Sequence, residues 1–93
     1  MIYPIIISPR ADRDFDRLEA WLVERDPTAA ARLGVLLEKA IGSLAESPLR
    51  GRSMGAFTRE INIPFGHSAY VVRYRVKGQR VTITRIWHGL EQR

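Results

Sequence analysis

The residues best suited to chemistry fall in one stretch, Ala69 to His88 (AYVVRYRVKGQRVTITRIWH). Two runs rich in β-branched and aromatic residues flank Gly78-Gln79, a two-residue turn with glycine first, which predicts a β-hairpin. With those two residues as the loop, Lys77 stands opposite Arg80 and Val76 opposite Val81. Side chains alternate across a strand. One face therefore carries Tyr70, Val72, Tyr74 and Val76 with Val81, Ile83, Arg85 and Trp87. The other carries Val71, Arg73 and Arg75 with Thr82, Thr84, Ile86 and His88. The first face needs a core; the second has the composition of a working surface. Arginines hold anions, and a histidine titrates near neutral pH, so His88 can give or take a proton. Arg52, in the loop Ser47–Met54 (SPLRGRSM), can join them. The plain alternative is the wet side of an amphipathic strand, but Thr82 and Thr84 offer the arginines no charge partner, which favours an external acidic one. Arg85 and Arg59 fall on apolar faces. Each must lie where the sheet outruns its cover, pair with a carboxylate such as Glu19 or Glu38, or be moved by a β-bulge.

These residues need a scaffold, and the earlier chain supplies it. Ile2 to Ile7 is apolar on both parities, as in a strand buried on both faces. Pro4 places it at an edge or a strand start, where an edge would also accept a partner strand. Ser8-Pro9 with Asp12 reads as a helix cap, first position and first turn, followed by Ala11, Phe15, Leu18 and Leu22 at helical spacing. Asp26-Pro27 repeats the signature, so one helix ends near Arg25 and a second runs from about Pro27 to Ala45. Its stripe is Leu33, Leu37, Ala40 and Leu44, and the short join makes the pair an antiparallel hairpin. Trp21, Leu36 and Ile41 widen the stripes. They either complete the core or line a groove for a partner helix. Phe57 to Ile63 alternates as a half-buried strand, and Pro64 to His67 turns the chain. The fold class is α+β in the order β-α-α-β-β-β, a helical hairpin on a small, mainly antiparallel sheet.

Ninety-three residues make a single domain, 1–93, with room for one core. Fifteen Lys and Arg against ten Asp and Glu give a net charge of +5, which calls for an anionic partner or serves solubility alone. The chain lacks cysteine, which excludes disulfides and thiolate metal sites. Without a basic leader or a long apolar run, the expected location is a cytoplasm. No glycine-rich phosphate loop, metal-spaced cluster or Ser-His-Asp arrangement is present, so no cofactor and no metal are expected.

Taken together, the segment SPRADRDFDRLEAWLVERDPTAAARLGVLLEKAIGSLAESPLRGR and the tail YVVRYRV…VTITRIWHG resemble the ParE/RelE superfamily of bacterial toxins. The matching features are a strand leading into a helix with an early Asp, the E-R-D-P helix junction, S-P-x-x-G-R after the second helix, and a closing His-Gly. The resemblance covers nearly the whole chain. It implies the small α+β toxin fold, a cognate ParD-like antitoxin that wraps and neutralises it, and a target in replication or translation. RelE-type members cut mRNA in the ribosome with basic residues and an acid/base group on the open sheet face. ParE-type members poison DNA gyrase without a known catalytic site. Cleavage through the 2′-OH needs a proton acceptor, cations for the phosphate and a proton donor, for which this chain offers Arg52, Arg73, Arg75 and His88. The ribonuclease pattern's lysines and its tyrosine near the C-terminus are missing. That difference and the His-Gly ending favour the ParE branch. In that branch Arg73, Arg75, Arg85 and His88 are the target-binding candidates, and Trp21, Leu36, Ile41, Arg73 and Arg75 the antitoxin-binding ones. A decayed member that serves only to bind its antitoxin is the third possibility.

Overall fold

The computed structural model describes residues 2–91. Strand β1 (Ile5–Ile7) leads into helices α1 (Pro9–Arg25) and α2 (Pro27–Ser43). Four strands follow: β2 (Arg52–Gly55), β3 (Thr58–Phe65), β4 (Ser68–Lys77) and β5 (Arg80–His88). Both helix starts are capped as their sequences require. Ser8 Oγ accepts the Ala11 N–H at 3.1 Å and Asp26 Oδ1 accepts that of Ala29 at 3.0 Å, each with proline at the first helical position. The sheet order is β1-β5-β4-β3-β2, with β1 parallel to β5 and every other pair antiparallel.

The helices cover one face of the sheet. Leu33, Leu44, Val72, Tyr74, Val81 and Ile83 are the largest wholly buried side chains, joined by Leu18, Leu22, Leu37 and Ile41 from the helices. Full burial of each such aliphatic side chain is worth about 1.5–3 kcal/mol. The Tyr74 hydroxyl extends the core's reach: it donates to the Pro48 carbonyl at 2.8 Å and accepts the Gly51 N–H at 2.9 Å. These bonds pull the α2–β2 loop onto the sheet so closely that a Cβ at Gly51 would meet the hydroxyl itself.

Three expectations about where strands begin and how far they are buried need correction. The segment after Pro48 is not all loop: its end forms β2, an exposed edge strand bearing Arg52, paired to β3 with an irregularity between Ser53 and Gly55. Phe57 is not part of the half-buried strand but sits at φ 69° in the β2–β3 turn, 59% exposed. β1 is not buried on both faces. It is a three-residue edge strand beginning after Pro4, with Ile6 and Ile7 44% and 49% exposed.

The correction with the widest consequence lies in the β4–β5 ladder. From the turn outward, Lys77 pairs with Arg80, Val76 with Val81, Arg75 with Thr82 and Tyr74 with Ile83. Arg73 then pairs with Arg85, Val72 with Ile86, Val71 with Trp87 and Tyr70 with His88. Thr84 is the extra residue of a β-bulge; its Oγ1 donates to the Arg73 carbonyl at 3.1 Å, and its own carbonyl accepts from Ser8 Oγ at 3.3 Å. One inserted residue reverses the facing of everything beyond it. Ile86 therefore turns into the core, 2% exposed, while Arg85 and Trp87 turn outward and His88 turns toward the helix side.

Candidate functional site

Polar side chains of four adjacent strands meet on the open face of the sheet. Arg52 of β2 pairs with Glu60 of β3, Glu60 with Arg73 of β4, and Arg73 with Arg85 of β5. The Glu60 carboxylate is nearly buried, with 5% of the residue exposed. Arg73 grips its Oε2 through Nε at 2.8 Å and Nη2 at 2.6 Å. Arg52 approaches Oε1 only to 3.7 Å from a largely exposed position. The Trp87 indole lies beside both guanidiniums: Arg73 stands 4.7 Å and Arg85 4.8 Å from its ring centroid.

Arg85 ends the row. Because β1 stops at Ile7, β5 beyond Ile83 has no strand on that side, and α1 closes the gap with Asp14. Asp14 Oδ2 accepts the Ile86 N–H and the Arg85 Nε, each at 2.8 Å, while Oδ1 takes Arg85 Nη2 at 3.3 Å. Burial by itself would raise the Asp14 pKa. The hydrogen bonds from Arg85 and Ile86, with the charges of Arg85 and Arg17, outweigh it and hold the carboxyl below its ordinary 3.8. The carboxylate partner of Arg85 is thus Asp14, not Glu19 or Glu38. Arg59, paired with Tyr74 across the ladder, is held by the α2–β2 loop, donating to the Leu49 and Gly51 carbonyls at 3.1 and 2.7 Å.

His88 does not share a face with Arg73 and Arg75. It packs edge-on against Tyr70, 5.1 Å between ring centroids, with Nε2 2.7 Å from Ser68 Oγ. The Leu90 N–H donates to Nδ1 at 3.2 Å, so the ring proton belongs on Nε2, where it is donated to Ser68. The Glu91 carboxylate fastens the end of the described chain, accepting the His88 N–H at 2.7 Å and pairing with Arg17 of α1. Arg75 remains on the open face, exposed, between Thr58 and Thr82, and makes no ion pair among the described residues. Arg73 is no longer a cation awaiting an outside partner, since Glu60 supplies one.

The three apolar candidates also separate. Trp21 is 56% exposed beneath the Arg25 guanidinium and borders a hollow of about 530 Å³ with Tyr70, His88 and Leu90. Leu36 is half-buried beside Phe65 at a shallower one. Ile41 is 9% exposed and belongs to the core, touching a third groove between α1 and α2. One continuous partner groove through all three is not what the helices present.

Glu60, Asp14 and the outward Trp87 are the participants that sequence reading missed. Glu60 was within reach. Taking Gly66-His67 as a two-residue turn, as it is here, sets Phe65 against Ser68 and therefore Glu60 against Arg73. Asp14 is legible only once β1 is known to be short. Among the described residues, no three His, Asp or Glu side chains gather as a metal site, and no helix is long and apolar enough to cross a membrane.

Residues 5–93 match the family model of the ParE toxin of the type II toxin–antitoxin system parDE. The chain is 67% identical to Toxin RelE1 of Caulobacter vibrioides over 93 residues, the full length of both. To Toxin RelE3 of the same organism it is 40% identical, covering 94% of this chain and 95% of that one. The structure superposes on a chain of the chromosomal ParDE TA system from P. aeruginosa with a TM-score of 0.74 at 20% identity, covering 94% and 96% of the two chains, a likeness of fold. With its two helices on an open-faced sheet and a family match over nearly all its length, the chain belongs to the ParE/RelE family of type II toxin–antitoxin toxins.

Proposed function

We propose that this toxin inhibits growth by poisoning DNA gyrase through protein contact and is neutralised by a cognate ParD-like antitoxin. The observation that carries this reading is the dispersal of the would-be ribonuclease set. His88, its acid/base candidate, lies on the helix side against Tyr70, and Arg73 is held by Glu60. Proton transfer requires a group within hydrogen-bond reach of the reacting atoms, and a histidine on the other side of the sheet cannot serve a phosphate bound beside Arg75. Target contact needs no such convergence. It falls to Arg75 on the open face, with the exposed parts of Arg73 and Arg85 beside it, and Trp21 and Leu36 are the apolar points left for an antitoxin. The test combines purified protein, gyrase, ATP and supercoiled plasmid, followed by detergent and protease. Broken plasmid that depends on the toxin is the expected product.

The name RelE on the relative with 67% identity keeps ribosome-dependent mRNA cleavage as the second reading. Intact plasmid in the first assay, together with cut mRNA on translating ribosomes, would establish it in place of the first. In that case Arg75→Ala would abolish mRNA cleavage and toxicity together, with a proton-transfer group other than His88.

A further inference from the structure

The positive charge of the chain is unevenly placed. Residues 47–93 hold nine Lys and Arg against two Asp and Glu, and residues 1–46 hold six against eight. Both acidic groups of the second half are occupied: Glu60 lies between Arg52 and Arg73, and Glu91 is paired with Arg17. The whole cationic excess therefore belongs to the second half of the sequence. Arg52, Arg73 and Arg85 are taken up by carboxylates, but those nearer the β4–β5 turn are not.

At that end Arg75, Lys77 and Arg80 line one open hollow of about 720 Å³ with Thr82, Thr84, Gln79, Gly78 and Pro4. Lys77 stands opposite Arg80 and Arg75 opposite Thr82, so the three cations share the open face. None has a carboxylate partner among the described residues, and the lining contains no acidic residue. The lining also contains no aromatic ring. Phe57 lies outside it, with Lys77 Nζ 5.7 Å from its ring centroid.

We propose that this hairpin end of the open face is a site for the phosphate backbone of duplex DNA. Cations with hydroxyl donors between them, and no competing carboxylate, match a row of phosphates, and guanidiniums bind phosphate oxygens in pairs. Single-strand binders add aromatic platforms on which bases stack, and the absence of rings from the lining selects a duplex whose bases stay paired. The contacts are to backbone, so binding is independent of sequence. This goes beyond the gyrase reading and does not rest on it: a toxin with either target could carry the site.

The test is fluorescence anisotropy of the full chain with a labelled 20-base-pair duplex of arbitrary sequence, titrated at several salt concentrations, with no gyrase present. Three phosphates neutralised give a slope of about −2.7 in log K against log salt, or roughly a 40-fold loss of affinity between 50 and 200 mM. The triple variant Arg75→Gln, Lys77→Gln, Arg80→Gln should bind at least about tenfold more weakly with a slope near zero. Arg10→Gln, Arg13→Gln, Lys39→Gln removes the same charge from the helices and should keep most of the affinity and the slope. Circular dichroism melts confirm that both variants fold. The proposal is overturned if the wild type does not bind the duplex, or if the two triple variants weaken it equally. It is overturned too if a single strand of equal charge, or a poly-glutamate peptide, binds more tightly than the duplex. Because the assay contains no gyrase, a negative result leaves the plasmid-breakage reading untouched.

Discussion

The two ends of the β4–β5 hairpin carry the same residue type on the same face and treat it in opposite ways. Beyond the bulge, Arg73 and Arg85 are locked between Glu60, Trp87 and Asp14. Before it, Arg75 and Arg80 stand in solvent opposite a threonine and a lysine. An arginine on a strand is thus defined less by its own position than by what the neighbouring elements bring beside it. β3 delivers a glutamate at one level and Thr58 at the next, and α1 delivers Asp14 only where β1 has ended.

The sharpest way to break this contrast is at Asp14. Asp14→Ala leaves the Ile86 N–H and the Arg85 guanidinium without their acceptor in a nearly closed site. Removing one member of such a pair is strongly destabilising, and about 3 kcal/mol is expected here, the partial exposure of Arg85 keeping it at the low end. In a chain of this size that is a fall in Tm of roughly 15 °C, readable by thermal and urea melts. Glu60→Gln comes next, at about 1.5–2 kcal/mol. A double-mutant cycle should assign nearly all of it to Arg73 and under about 0.5 kcal/mol to Arg52, whose long and exposed contact solvent screens. Equal couplings would mean that the row acts as one network instead of one tight pair with an onlooker.

The same locked end predicts an acid limb. A carboxyl whose folded-state pKa lies below its unfolded value of 3.8 contributes stability that is present above that value. The contribution is lost as pH falls toward and through the lower folded-state pKa. The urea midpoint of the wild type should therefore drop below about pH 4, and its advantage over Asp14→Asn should shrink there while staying constant between pH 5 and 7. A gap that persists unchanged to pH 2 would mean that the carboxylate charge contributes nothing beyond its hydrogen bonds.

Much of this architecture can be read from the residues, because its signals are local. Ser8-Pro9 and Asp26-Pro27 announce both helix starts, the stripes of Leu18, Leu22, Leu33 and Leu37 give the covered face, and Gly78-Gln79 gives the hairpin and its first four pairs. What could not be read depends on contacts distant in the chain. A bulge at Thr84 has no glycine to mark it. It is held by Ser8 and by the Arg73 carbonyl, 76 and 11 residues away, and overlooking it misplaced Arg85, Ile86, Trp87 and His88 together. β2 was hidden for a related reason. A four-residue, fully exposed edge strand shows no hydrophobic alternation, so its only signal is the pairing of Arg52 and Ser53 with β3. The candidate site straddles the bulge, so it was the part most exposed to a one-residue error.

The free end of the hairpin supplies the smallest predicted effect and the most direct check on the contrast. Arg75 and Arg80 lie on an exposed surface without ion pairs among the described residues, and truncating such residues ordinarily changes stability by no more than about 0.5 kcal/mol in either direction. Arg75→Ala and Arg80→Ala should therefore melt within about 3 °C of the wild type. Relieving repulsion among Arg75, Lys77 and Arg80 would, if anything, raise the melting point at low salt and lose that gain at high salt. Arg75→Ala costing more than about 1 kcal/mol would give that side chain a structural role equal to that of Arg73 and erase the difference between the two ends. A neutral or stabilising result, with toxicity lost, would show that the sheet carries this cation for a partner and not for its own fold.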